Sequence, residues 1–331
     1  MPDIGYRDID CEIWEEELDG FVPSVIHDMH VHMWSEAHRG TLGGPPSGLR
    51  VEIDYEGHLR WAARLFPGRE MRYLILGTPI PGMDIEGHNR WVAEQTMGRA
   101  ESRASMLVTP DMAPEYLESQ VRAQGFFGLK PYRMFAHDPA EARIADFLPE
   151  SQIEVADQLG LAVTLHLSKR AGPADEENLS DLADYTTRFP RVQWILAHCA
   201  RAFNACMLEE PIRRLRDLPN IWYDTSAVNE LYTHYVLMKH EDQKRIMFGS
   251  DNVAAGCMRG KYITYGKAWE GYEGNPTLPH CDPTPTFVVY EQLRQERQVA
   301  DMLGLTNQEI EDHFSGNAAR LIQTVEAARP R

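Results

Sequence analysis

The sequence predicts an α/β chain of the (β/α)8 TIM-barrel class, with a short N-terminal arm before the barrel and a long loop insertion after its eighth strand. Three observations predict it. Eight short apolar runs rich in β-branched or aromatic residues recur, all but one ending on a polar residue. From His32 to Asp251 the runs are spaced about 31 residues apart, the length of a strand, a crossover helix and two short loops. Helix-like stretches alternate with the runs, as a parallel sheet requires.

In order, the strand runs are 25–32, 71–78, 104–109, 125–131, 161–166, 192–198, 221–225 and 245–251. Their uninterrupted apolar character suits strands covered on both faces. Segments 87–99, 114–124, 149–159, 179–189 and 211–218 read as helices. Pro149 and Pro211 suit a first helical turn, where no intrahelical N–H is needed, and Gly160 falls where a left-handed residue would end a helix. Asn317 reads as a helix cap. The arm is expected over residues 1–23 and the barrel domain over 24–331. Segments 35–57 and 252–285 carry Gly and Pro and no clear element, so they are expected either to form binding loops or to pack on the barrel or a second subunit.

With 331 residues, 43% of them hydrophobic, the chain can bury one large core. A formal charge of −17 repels nucleic-acid backbones and anionic membranes, so a small-molecule partner is expected, and the extra segments leave room for a homo-oligomer. The first twenty residues are acidic and lack the apolar core of a signal peptide, and no run of eighteen apolar residues occurs, which predicts a soluble cytoplasmic protein. The five cysteines are odd in number and form no CxxC pair, so reduced thiols are expected.

In a strand, residues two apart share a face, so His30 and His32 point together into the barrel while His27 has the opposite parity. His166, His198 and Asp251 fall at the C-terminal ends of later runs, and in an eight-stranded barrel those ends converge on one mouth. Imidazoles on strands one, five and six and a carboxylate on strand eight suit a divalent metal. Asp28, on the face of His30, is expected either to support a ligand histidine or to make a polar contact in the barrel floor. His38, His58, His88, His137, His234, His240, His280 and His313 lie in loops or helices, where solvated or capping roles are expected. Tyr262, Tyr265, Trp269, Tyr272 and Phe287 in the late segment are candidates for a pocket wall or an interface.

The order HxH, Lys, His, His, Asp over successive strands resembles the amidohydrolase superfamily, in particular its amidohydrolase-related group. Nearly the whole chain takes part, including Gly128-Leu129-Lys130, Ala197-His198-Cys199, Trp222-Tyr223-Asp224-Thr225-Ser226, Phe248-Gly249-Ser250-Asp251 and Gly316-Asn317-Ala318-Ala319-Arg320-Leu321. The resemblance implies one divalent ion held by His30, His32, His166 and Asp251, zinc first and manganese second. It implies that Asp251 takes a proton from an activated water and passes it to the leaving group, and that His198 orients or polarises the substrate. In binuclear members a lysine at the position of Lys130 is carbamylated and bridges two metals. With a single ion, Lys130 is expected to bind a substrate carboxylate together with Arg133 and Arg170, Lys169 adding to a positive rim; the other reading pairs the two arginines with rim carboxylates. The group contains hydrolases of amides, lactams and lactones, and non-oxidative decarboxylases of aromatic or muconate-like acids. Ala200-Arg201-Ala202-Phe203 stands where those decarboxylases often have a Gly-rich stretch, which favours hydrolysis.

Overall fold

A computed structural model describes residues 4–43, 50–99, 101–273, 280 and 285–330. Eight parallel strands run in chain order: β1 (Val25–His32), β2 (Glu70–Leu76), β3 (Arg103–Val108), β4 (Gly128–Pro131), β5 (Ala162–Leu165), β6 (Gln193–Leu196), β7 (Ile221–Asp224) and β8 (Ile246–Met247). β8 is too short to pair fully with β1. The chain just after it closes the barrel instead, through Met29 N to Phe248 O (3.0 Å), His32 N to Asn252 O (2.5 Å) and a parallel bridge between Val31 and Asn252.

Helices cover the outer face of the barrel. Pro114–Gln124 forms as expected and ends on left-handed Gly125, and Glu150–Leu159 ends on left-handed Gly160. A Cβ at Gly160 would also meet Ala328 at 2.8 Å, so that position excludes other residues by space as well as by dihedral. Tyr55–Leu65 is a helix that the sequence reading did not list; the Asp54 side chain caps it by accepting from Gly57 N. Below the strands, Met29, Leu74, Leu76, Phe127, Ala162, Ile195, Trp222 and Met247 pack against Ala318, Leu321, Ile322 and Val325 of the closing helix Asn317–Ala328. The strands' C-terminal ends are therefore the open face.

One expectation changes here. Asn317 does not cap, because helical turns run continuously from Asn307 through Gly316 into its own helix. Its side chain instead donates to Gln243 O and Ile246 O, both at 2.7 Å, and so holds the start of β8. The N-terminal arm packs on the barrel through Ile13, Trp14 and Leu18, which share a buried cluster with Phe66, Phe248, Phe287, Tyr290 and Leu293. The late insertion folds into an antiparallel hairpin of β9 (Gly260–Tyr265) and β10 (Ala268–Glu273). The Tyr272 side chain and Cys281 lie outside the described residues, as do 44–49 of the early loop. Cys11, Cys199, Cys206 and Cys257 are free thiols. Among the described residues no helix is long and apolar enough to cross a membrane.

Candidate metal centre

β1 carries His30 and His32 side by side into the barrel interior, with ring centroids 5.2 Å apart. Their Nε2 atoms lie 3.6 and 3.5 Å from Asp251 Oδ1, and one donor atom from each of the three residues falls within 4.8 Å of the others. Asp251 reaches this point because the chain leaves β8 after Met247 and turns at a left-handed residue, Asp251 itself (φ 53°). The predicted strand 245–251 is shortened for that reason. Asp28 braces the turn, accepting from Ser250 N (2.8 Å), Ser250 Oγ (2.5 Å) and His30 N (3.2 Å), so it fixes backbone and not an imidazole ring.

The ring partner of His30 is Asp224, at the end of β7, whose Oδ2 lies 2.9 Å from His30 Nδ1. Asp224 Oδ1 accepts from His198 N (3.0 Å), Ser226 N (3.1 Å) and Ser226 Oγ (2.5 Å). His30, His198 and Asp224 thus form a second compact group, but that carboxylate is already saturated with donors. The His30, His32 and Asp251 group is therefore the better candidate for holding an ion. Asp224 puts the proton on His30 Nδ1, and Gly77 O, 3.2 Å from His32 Nδ1, does the same for His32. Both Nε2 lone pairs then face Asp251, which is the arrangement a metal requires.

Burial holds the His30, His32 and His166 pKa values well below the usual imidazole range, so the rings are neutral. Burial likewise pushes the carboxyl of Asp251 well above its usual range, with Lys130 opposing. Buried neutral imidazoles and a desolvated carboxylate converging on one point fit a divalent cation.

His166 stands outside this three-residue group. Its ring is 5.2 Å from that of His198 and 4.9 Å from that of Tyr132, with Nδ1 2.9 Å from Leu167 O. His198 begins a turn in which His198, Cys199, Ala200 and Arg201 are all left-handed, with φ between 51° and 64°. That turn returns the chain to the mouth at a conformational cost of roughly 1–2 kcal/mol per residue. Its Nδ1 lies 3.0 Å from Ser226 O, which assigns the ring proton there and leaves Nε2 as a lone pair. Burial, with His30 beside it, lowers its pKa to about 3. A neutral ring in that tautomer offers the mouth an acceptor, so polarisation of a carbonyl by an N–H is not what His198 is set up to do.

The amidohydrolase family model matches residues 27–323. The chain belongs to the amidohydrolase family. Membership makes it a metal-dependent enzyme of that superfamily. A search among curated proteins finds no match. Among solved structures this amidohydrolase is similar to 4-oxalomesaconate hydratase from Rhodopseudomonas palustris (TM-score 0.59, 16% identity, covering 92% of this chain and 97% of that one). It is also similar to a dihydroxybenzoic acid decarboxylase from Polaromonas sp. JS666 with bound manganese and an inhibitor (0.56, 14%, 91% and 97%). A third is a probable 2-pyrone-4,6-dicarboxylic acid hydrolase from Acinetobacter baumannii with citric acid bound (0.56, 12%, 90% and 99%). At these identities the likeness is one of fold.

The amidohydrolase's cations are arranged differently from the expected rim. Lys130 is inside the barrel, fully buried, its Nζ without a hydrogen-bond partner among the described residues and 5.4 Å from the Tyr132 ring centroid. Burial brings its pKa down to about 8, against the pull of Asp224 and Asp251. Lys169 forms ion pairs with Glu177 and Asp175 and is neutralised, while Arg170 is exposed on a turn. Arg133 donates to Pro139 O (2.7 Å), with no carboxylate paired to it among the described residues. Facing it is Arg201, which sequence reading did not select. Its guanidinium donates to the carbonyls of Ser168 and Lys169, and burial together with Arg133 lowers its pKa to about 10.

The histidines assigned to solvated or capping roles divide. His58, His88, His234 and His313 are buried, and three of them hold backbone: His58 Nε2 is 2.9 Å from His32 O, His88 Nε2 accepts from Thr78 N at 3.1 Å, and His234 Nε2 is 2.9 Å from Val228 O. Of the late aromatics, Tyr262 and Trp269 pack on Phe203 beside His198, whereas Phe287 is buried against the N-terminal arm.

Proposed function

We propose that this amidohydrolase hydrolyses an amide, lactam or lactone bond in a small carboxylated metabolite. The observation that carries the reading is the pairing, at one mouth, of a metal-fitting donor set with Arg133 and Arg201, two guanidiniums that no described carboxylate neutralises. Without a counter-ion, such groups bind an anion, and their fork geometry suits a carboxylate.

His30, His32 and Asp251 would hold one divalent ion, with His166 as the fourth ligand, Zn or Mn being suited to imidazole and carboxylate. When bound, that ion supplies Lewis acidity and a more acidic water. Arg133 and Arg201 anchor the substrate carboxylate, with Lys130 below them and Arg170 at the outer edge of the same rim. Asp251 takes the proton of the attacking water and returns it to the leaving nitrogen or oxygen. His198 orients that water by accepting from it at Nε2.

A carboxy-lyase reading is supported by structural neighbours named as decarboxylases of aromatic acids. A protonated Asp251 would deliver its proton to the carbon from which CO2 departs. Structural neighbours named as hydrolase, hydratase and decarboxylase support both readings of the site.

Product analysis separates the two. Purified protein should carry about one Zn or Mn by elemental analysis, and His30→Ala/His32→Ala should lose it. The loaded protein is then offered lactones, amides and aromatic acids, acid release from lactones being followed by pH-stat, amine release from amides by an amine-reactive dye, and CO2 by headspace analysis. Acid or amine release without CO2 supports hydrolysis, and stoichiometric CO2 overturns it in favour of the lyase. His166→Ala and Asp251→Asn should each abolish turnover while leaving the fold intact; turnover in either contradicts these assignments.

A further inference from the structure

The hairpin β9–β10 brings to the mouth side chains that no barrel strand supplies. Asn204, after β6, donates from Nδ2 to Gly266 O (3.0 Å) and Ala268 O (3.1 Å) at the hairpin's tip. Asn229, after β7, accepts from Tyr262 N (3.2 Å), and Glu230 accepts from Thr264 Oγ1 (3.3 Å). The strand alternation turns Tyr262 and Thr264 inward and leaves Ile263 and Tyr265 41% and 59% exposed.

On the inner side the rings of Phe203, Tyr262 and Trp269 form a cluster. Phe203 lies 4.5 Å from Trp269 and 4.7 Å from Tyr262, and it stacks on His198 at 5.6 Å and 30°. Opposite Tyr262 in the hairpin is Gly271, where a Cβ would approach the tyrosine ring to 3.3 Å, so the ring lies over bare backbone. The half-buried Tyr262 and Trp269 rings therefore reach the site through Phe203 on the His198 side, and the His198 ring in turn lies 5.2 Å from that of His166, which is 4.9 Å from that of Tyr132.

The hairpin is anchored at its root as well. Arg259, just before β9, donates to both carboxylate oxygens of fully buried Asp10 (3.0 and 2.5 Å) and to Pro285 O (3.1 Å), and its guanidinium lies 4.0 Å over Phe287. Asp10 belongs to the N-terminal arm. Two sequence segments 249 residues apart are thus joined directly behind the hairpin.

We propose that the hairpin is the specificity element of this site: Trp269 and Tyr262 meet the flat face of a planar substrate whose carboxylate reaches Arg201, and Arg259 is a positioning residue that ties the hairpin root to Asp10. The proposal takes the location of the substrate from the functional reading above. Paired aromatic faces attract beyond the area they bury, whereas a puckered aliphatic ring of the same charge gains area alone.

The test uses the metal-loaded full chain and two probes, benzoate and cyclohexanecarboxylate, each competed against 4-fluorobenzoate followed by fluorine NMR. Benzoate should bind about threefold to tenfold more tightly. Trp269→Leu should bring that ratio close to one while changing cyclohexanecarboxylate affinity by no more than about twofold. Asp10→Asn should lower the ratio too, a change that a loss of fold stability alone would not produce; thermal melts check that both variants are folded. Equal affinity of the wild-type protein for the two acids, no binding of either, or a ratio preserved in Trp269→Leu would overturn the proposal. A ratio preserved in Asp10→Asn would overturn the role given to Arg259. Because binding is read and not turnover, a protein that shows the ratio yet converts no carboxylate would overturn the functional reading and leave the hairpin's role standing.

Discussion

At the scale of single residues, the centre depends on how each imidazole is held. Asp224 accepts from His30 Nδ1 and from three further donors, and it is fully buried. Asp224→Asn keeps the shape but turns one acceptor into a donor, which opposes the His30 ring proton and favours the tautomer with no free Nε2 lone pair. Metal affinity should fall about 10- to 100-fold, measured by chelator competition, with little change in the circular dichroism spectrum. Unchanged affinity would show that Asp224 does not set the ring. The pair His30 and His32 was legible from strand parity, and Asp251 from its place at a strand end. Asp224 stands at a strand end too, but a single acid in an apolar run does not reveal that its partner lies on β1, 194 residues earlier. Arg201 was hidden for another reason: it reaches the mouth through four left-handed residues, and none of them is a glycine that would announce the turn.

At the scale of elements, the eight strands and their order were readable because the apolar runs recur at barrel spacing, whereas the strand ends were not. β6 and β8 stop early where the chain turns to present His198 and Asp251, so function sets those boundaries and propensity does not. The hairpin was also missed, because Tyr262-Ile263-Thr264-Tyr265 does not alternate in polarity although its burial does, and only Gly266, with its positive φ (59°), signals the turn. Asn317 shows how a short element is secured. Its amide donates to a part-buried carbonyl just before β8 and a buried one at its first residue, and Asn317→Ala should therefore destabilise the protein by about 1–3 kcal/mol in urea unfolding. Asn317→Asp separates this from a cap, since aspartate is a good cap residue yet has no donor. The aspartate variant should be no more stable than the alanine one, and recovery towards wild type would restore the capping role.

At the scale of the whole molecule, stability should fall as the solution is acidified through the histidine range. His27 and His88 are buried, and burial lowers each pKa to about 3; His88 in addition accepts from Thr78 N, which only the neutral ring can do. In the unfolded chain the same groups take up protons near pH 6.5. Between about pH 6.5 and 3 the unfolded state therefore binds more protons than the native state, so unfolding free energy rises with pH and is lost as pH drops. The urea midpoint should be lower at pH 5 than at pH 7. Chelator is present in both arms, so that release of a metal ion does not contribute. His88→Gln keeps an acceptor for Thr78 N and has no titrating ring, so its midpoint should fall less over the same interval even where its stability at pH 7 is reduced. A wild-type midpoint that is flat or rises below pH 6.5 would mean that other titrating groups dominate, the acidic surface of a chain with charge −17 being the first to weigh, since its self-repulsion relaxes as carboxylates take up protons.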